Sequence, residues 1–270
     1  MNTMKQFFKH FHIGVLFKAL SYTLIFSAIY NFFFLGSTIV SQNIPWMIYV
    51  MQAVLNLIFS LGIYKVCTMV WQKKPEKITG AVAVRILLLQ AVFMIFVSGI
   101  CNPIYMVVQN QTFGLVLVQL LSAIGIIFMI PIQLIYYYAL FLGKRNGKEI
   151  FSYVKNVLKI NYKGILNAFC GLFLVIVCID TLTMGIFTIA GGFNATVLLT
   201  NMFYAGNPLV NCMTMLFASS LASLPLIQIV IPVFFSFIVG FFYAWLEMNY
   251  VYYVQEKCIE YGTQRTKNNR

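Results

Sequence analysis

Side chains able to do acid–base or metal chemistry are few in this chain: six acids (Glu76, Glu149, Asp180, Glu247, Glu256 and Glu260), two histidines (His10 and His12) and six cysteines (Cys67, Cys101, Cys170, Cys178, Cys212 and Cys258). Hydrolysis near neutral pH asks for a positioned base, usually a histidine or one of two paired carboxylates. Both histidines fall in an N-terminal stretch that sets Lys5, Lys9 and His12 opposite Phe7, Phe8, Phe11 and Val15. No His-Glu-x-x-His, Gly-x-Ser-x-Gly or glycine-rich phosphate loop occurs. The cysteines form no Cys-x-x-Cys and read as small core residues rather than ligands or disulfides. The expectation is a protein that is not an enzyme, with no metal and no cofactor.

Asp180 is the exception. It stands about 14 residues, or ~21 Å at 1.5 Å per residue, beyond the start of an apolar stretch near Leu166. A carboxylate at that depth is costly and must face protein or water. Asp180 therefore reads as an ion or substrate site, protonated or holding a cation, or else as the acid of a wet outer vestibule. Glu247 lies at the end of the last apolar stretch, within reach of Lys65, Arg85 or Lys163, and is expected to form a structural ion pair.

The elements that must position these residues follow from composition. With 61% hydrophobic and 9% charged residues, the chain is no ordinary soluble domain, which would carry about 25% charge. Its net charge of +12 comes from eighteen Lys and Arg, all in four short segments. These are the N-terminus (Lys5, Lys9, Lys18), a first loop (Lys65, Lys73, Lys74, Lys77, Arg85), a second (Lys144, Arg145, Lys148, Lys155, Lys159, Lys163) and the C-terminus (Lys257, Arg265, Lys267, Arg270). A nucleic-acid binder would gather its cations on a soluble face. Here they flank apolar spans, so the expected partners are anionic lipid headgroups and a protein at the cytoplasmic face, with no nucleic acid.

Six spans fit, at about 19–40, 46–64, 86–108, 114–142, 165–190 and 225–246, each near the ~20 residues that cross a bilayer as a helix. The fold class is all-α: a polytopic integral membrane protein, one domain over 1–270, with six transmembrane helices as three hairpins and basic amphipathic interfacial helices. Cytoplasmic loops collect Lys and Arg, so the expectation is a multi-pass protein of the plasma (inner) membrane with both termini cytoplasmic. The first span is expected to stay as an anchor, since Ser41-Gln42-Asn43-Ile44-Pro45 offers no cleavage site. A seventh crossing at 209–224 would place the C-terminal cations outside. That stretch reads as re-entrant or surface-lying.

The hairpins look repeated. Ile130-Pro131-Ile132 and Ile231-Pro232-Val233 occupy matching helices, each followed by a tyrosine-rich end, and Pro131 and Pro232 are expected to kink them. Between Lys148 and Lys163, Lys148, Ser152, Lys155, Asn156, Lys159 and Lys163 share one helical face, and Ile150, Phe151, Val154, Val157 and Leu158 the other. This predicts a helix in the membrane plane, its apolar face in the acyl boundary or on the bundle and its lysines on phosphates or a partner. Gly164 with Ala168 and Ala139 with Gly143 have the spacing of close helix contacts.

Phe128-Met129-Ile130-Pro131, then Gly147-Lys148-Glu149-Ile150-Phe151-Ser152-Tyr153-Val154-Lys155 and Asn161-Tyr162-Lys163-Gly164, resembles a junction in bacterial six-helix membrane domains. These include the membrane domain fused to glycerophosphodiester phosphodiesterases and related stand-alone proteins. The chain lacks the phosphodiesterase domain, so no catalytic residue is carried over. The resemblance implies a helical membrane module serving a partner. Function is thus expected to be non-enzymatic and accessory, the alternative being a carrier or permease for a small solute, peptide or lipid.

Overall fold

The structure, a computed structural model, describes residues 47–72, 77–108, 112–182 and 245–263, with Gly14 and Phe17 besides; across 47–59, 94–127 and 176–182 mainly the backbone is described. Among the described residues all regular structure is helical, without strands: α1 (Met47–Gln72), α2 (Gly80–Val108), α3 (Thr112–Phe141), α4 (Gly147–Leu182) and α5 (245–263). Expected spans 46–64, 86–108 and 114–142 fall within α1, α2 and α3. The first span, Pro232 with nearly all of the sixth, and the stretch from 191 to 224 lie outside the described residues. Among the described residues no helix is long and apolar enough to cross a membrane.

Each helix packs on its sequence neighbour, α2 on α3 and α3 on α4 most extensively, and α1 also reaches α3. The turn between α3 and α4 shows why the chain reverses there. Gly143 takes φ 82°, the left-handed conformation that glycine adopts without penalty. Its N–H donates to the Leu140 carbonyl at 3.0 Å, and the Lys144 N–H to the Ala139 carbonyl at 3.1 Å, closing a Schellman cap. Arg145 Nη1 donates to the Leu140 carbonyl at 2.6 Å. Asn146 then caps α4: its Oδ1 accepts from the Lys148 N–H at 3.1 Å, with Glu149 in the capping-box position. Gly143 therefore stops a helix, rather than pairing with Ala139 as a contact between small residues.

The core gathers where α1 ends, α2 begins, α3 ends and α4 begins. Tyr64 meets Tyr137 edge-on at 5.4 Å, and Trp71 meets Tyr138 at 5.1 Å. Trp71 Nε1 donates to the Val251 carbonyl at 3.3 Å, tying α5 to α1. Gln133 Nε2 donates to the Tyr137 hydroxyl at 2.8 Å, which donates in turn to the Ser60 carbonyl at 3.2 Å. Burial of the Gln133 amide and the Tyr137 hydroxyl is tolerable because each finds a partner.

Two expectations need correction. An in-plane helix ending at Lys163-Gly164 and a separate span from 165 are one uninterrupted helix, the 36-residue α4. Gly164 does not break it, because the glycine fits a close approach of α5: a methyl there would stand 2.8 Å from the Tyr253 hydroxyl. Phe151, expected on the covered face, is 72% exposed. Ile150, Val154 and Val157 of the expected face are buried, joined by Tyr153, which packs against Tyr261 of α5. Along α3 the helix runs through Pro131 without a break.

Candidate functional site

A cationic helix face is the feature that the described residues assemble most completely. Lys148, Lys155, Lys159 and Lys163 are all exposed along the first half of α4. Behind them Ile150, Tyr153, Val154 and Val157 are buried in the core, while Phe151 and Ile160 are exposed. Four contacts hold the segment there. Asn161 Nδ2 donates to the Lys257 carbonyl at 3.0 Å, and the Tyr250 hydroxyl to the Ile165 carbonyl at 3.3 Å. Tyr153 packs edge-on against Tyr261 at 5.5 Å, and Phe169 against Tyr250 at 5.2 Å.

Charge is unbalanced on this face. Between positions 144 and 163 six cations stand against one acid, Glu149, and Glu149 pairs with Lys144. On α5, Glu260 pairs with Lys257 at 2.8 Å. Among the described residues none of the four exposed lysines enters an ion pair. Lys144 also caps the Tyr153 ring, 5.5 Å from its centroid, which fixes the start of α4 against the aromatic core.

Glu247 departs from its expected role. It is buried, and so are its neighbours Leu246, Met248, Asn249 and Tyr250. Arg85 lies instead beside Gly147 and Lys163 is exposed. Burial alone pushes the Glu247 carboxyl, one residue past the expected sixth span, well above the usual carboxylate range. Asn249 Nδ2 donates to the Trp245 carbonyl at 2.7 Å, while its Oδ1 and both amide atoms of Gln90 have no partner among the described residues. Cys258 is buried beside the Tyr153 hydroxyl, and burial pushes its thiol up to about 12, so it is unreactive near neutral pH.

Asp180 falls on the last described turn of α4, where only the backbone is described. Pro131 is buried and borders a groove between α3 and α4, lined by Phe128, Ile132, Leu158, Tyr162 and Ile165 among others, with about 290 Å³ of empty space including its mouth. Sequence reasoning missed this groove, since it arises where two helices diverge and no single-helix pattern encodes it. It also missed the turn at Gly143 to Glu149, whose stop and start signals were there to be read. No family model matches the chain, and no curated protein or solved structure matches it either.

Proposed function

We propose that this chain is a six-helix integral membrane module without catalytic work of its own, which presents the cationic face of α4 to a partner at the cytoplasmic surface. The observation that carries the membrane reading is an inside-out distribution of polarity. On α2, Val84, Leu88, Val92 and Ile95 form a stripe 55 to 72% exposed. Ser60, Thr68, Gln90, Gln133 and Asn249 are buried in the same bundle. Water would penalise so long an exposed apolar stripe, whereas lipid accepts it. The 29 and 30 residues of α2 and α3 amount to about 44 Å of helix, more than the ~30 Å of a hydrocarbon core.

Docking is supported by the buried reverse face of α4. Ile150, Tyr153, Val154 and Val157 anchor the segment in the core, so its lysines are held at fixed spacing on a packed support, an arrangement suited to an acidic partner surface. Site-specific photo-crosslinking from position 156 in cells tests this. An adduct is expected with the native chain and should vanish in Lys159→Glu/Lys163→Glu at equal expression; an unchanged adduct would overturn docking through these lysines.

The carrier reading has in its favour Asp180, an acid expected within a span, since such acids mark transport paths. Asp180→Asn separates the two readings. A carrier should lose pH-dependent uptake in reconstituted vesicles, and a docking module should keep its adduct.

A further inference from the structure

We propose that the occupant of the cationic face of α4 is an amphipathic helix of an acidic protein, laid along Lys148 to Lys163 with its apolar stripe on Phe151 and Tyr162; this rests on the docking reading above. Lys148, Lys155, Lys159 and Lys163 are spaced by seven, four and four residues, so they recur at whole turns and share about 80° of arc over ~22 Å of helix. A partner helix repeats its side chains at the same interval. Acids one turn apart on it therefore meet lysines one turn apart on α4. Glu149, the one acid between 144 and 163, is held by Lys144 and does not compete for them.

Beside the lysines runs an apolar edge. Phe151 is 72% exposed and Tyr162 44%; they lie about three turns apart and within about 40° of Lys155 around the helix axis. Both precede the span expected from 165, so they stand at the level of the lysines, where exposed aromatic rings serve as anchors for a protein partner. A face cationic along its middle and aromatic along one side complements a ligand acidic along its middle and apolar along one side. An amphipathic helix presents those two stripes at matching pitch. An extended segment does not, because its like-facing residues recur at about 6.8 Å against about 5.4 Å on α4. It would also find no backbone partners, since α4 uses its own N–H and C=O groups within the helix.

The test sets the full chain, in phosphatidylcholine nanodiscs, against a labelled peptide of about five helical turns with glutamates on one stripe and leucines on the next. Fluorescence anisotropy should show it binding about tenfold more tightly than a peptide of the same composition with its stripes scrambled. Lys155→Glu/Lys159→Glu should weaken binding about tenfold, Phe151→Ser about fivefold, and Lys77→Glu, a charge change elsewhere, not at all. In cells, adducts from a photo-crosslinker at position 156 should map on the partner at three- and four-residue intervals within an acidic segment. Equal binding of the scrambled peptide, indifference to Phe151→Ser, or adducts at two-residue intervals overturns the proposal. If the position-156 adduct still depends on Lys159 and Lys163 while the scrambled peptide binds as well as the striped one, docking stands and the helix falls. Loss of that dependence, or adducts on lipid or RNA in place of protein, sinks both.

Discussion

Gly164→Ala is the sharpest probe of how α4 and α5 meet. In an open helix the change should stabilise by about 0.5–1 kcal/mol, because alanine loses less backbone entropy than glycine. Here the new methyl would stand 2.8 Å from the Tyr253 hydroxyl and 3.9 Å from the Lys257 ε-carbon. The first distance is inside van der Waals contact, and relieving it requires the ring to withdraw or the helices to part. Overpacking of that kind costs about 1–3 kcal/mol, so the net effect should be a loss of up to about 2 kcal/mol. Tyr253→Phe removes the obstructing oxygen, and in that background Gly164→Ala should become neutral or stabilising. The four stabilities of this double-mutant cycle, from thermal unfolding in one detergent, should give a coupling of about 1–2 kcal/mol. The cycle cancels whatever else the Tyr253 hydroxyl does. If alanine stabilises equally with Tyr253 and with Phe, the helices do not approach at Gly164 and the account of this interface fails.

Three further outcomes are expected. Asn146→Ala should cost about 1 kcal/mol by removing the acceptor at the start of α4, while Asn146→Asp should cost little, which paired unfolding curves will show. Glu247 has a folded pKa above its unfolded one, so its protonated form stabilises the fold below the ordinary carboxylate range, and that contribution falls away as pH rises toward the raised folded value; Glu247→Gln should flatten this decline between about pH 5 and 8, and parallel pH profiles would refute the assignment. Reporter fusions after Lys74, Lys148 and Arg270 should read cytoplasm and fusions at Asn43, Gln111 and Asn201 the opposite side; an external C-terminus would mean that 209–224 crosses.

What could be read in advance was whatever a single helix encodes along its own length. Runs of apolar residues around 46–64, 86–108 and 114–142 located α1, α2 and α3, and the lysine periodicity from Lys148 to Lys163 located the exposed face of α4. Contacts between distant segments could not be read that way. The spacing of Gly164 and Ala168 pointed to a close helix contact, but which element makes it, Tyr253 of α5, is visible only in the packed bundle. Charge arithmetic placed a cation near Glu247, whereas its burial among Leu246, Met248, Asn249 and Tyr250 is a property of the packed bundle. Phe151 counted as apolar and so as covered, although the covered arc is set by where α5 lies. The groove at Pro131 exists only once α3 and α4 are placed together.

Because α4 is continuous, it has the mechanics of a beam. Its 36 residues make a rod of about 54 Å. Gly164, where Tyr253 comes close, lies almost midway between Gly147 and Leu182. A tilt of about 5° about that point would carry each end by about 2 Å, in opposite directions. A displacement near Asp180 would reach the turn that begins with Gly143 inverted, and reduced by the contacts that hold Tyr153, Asn161 and Phe169.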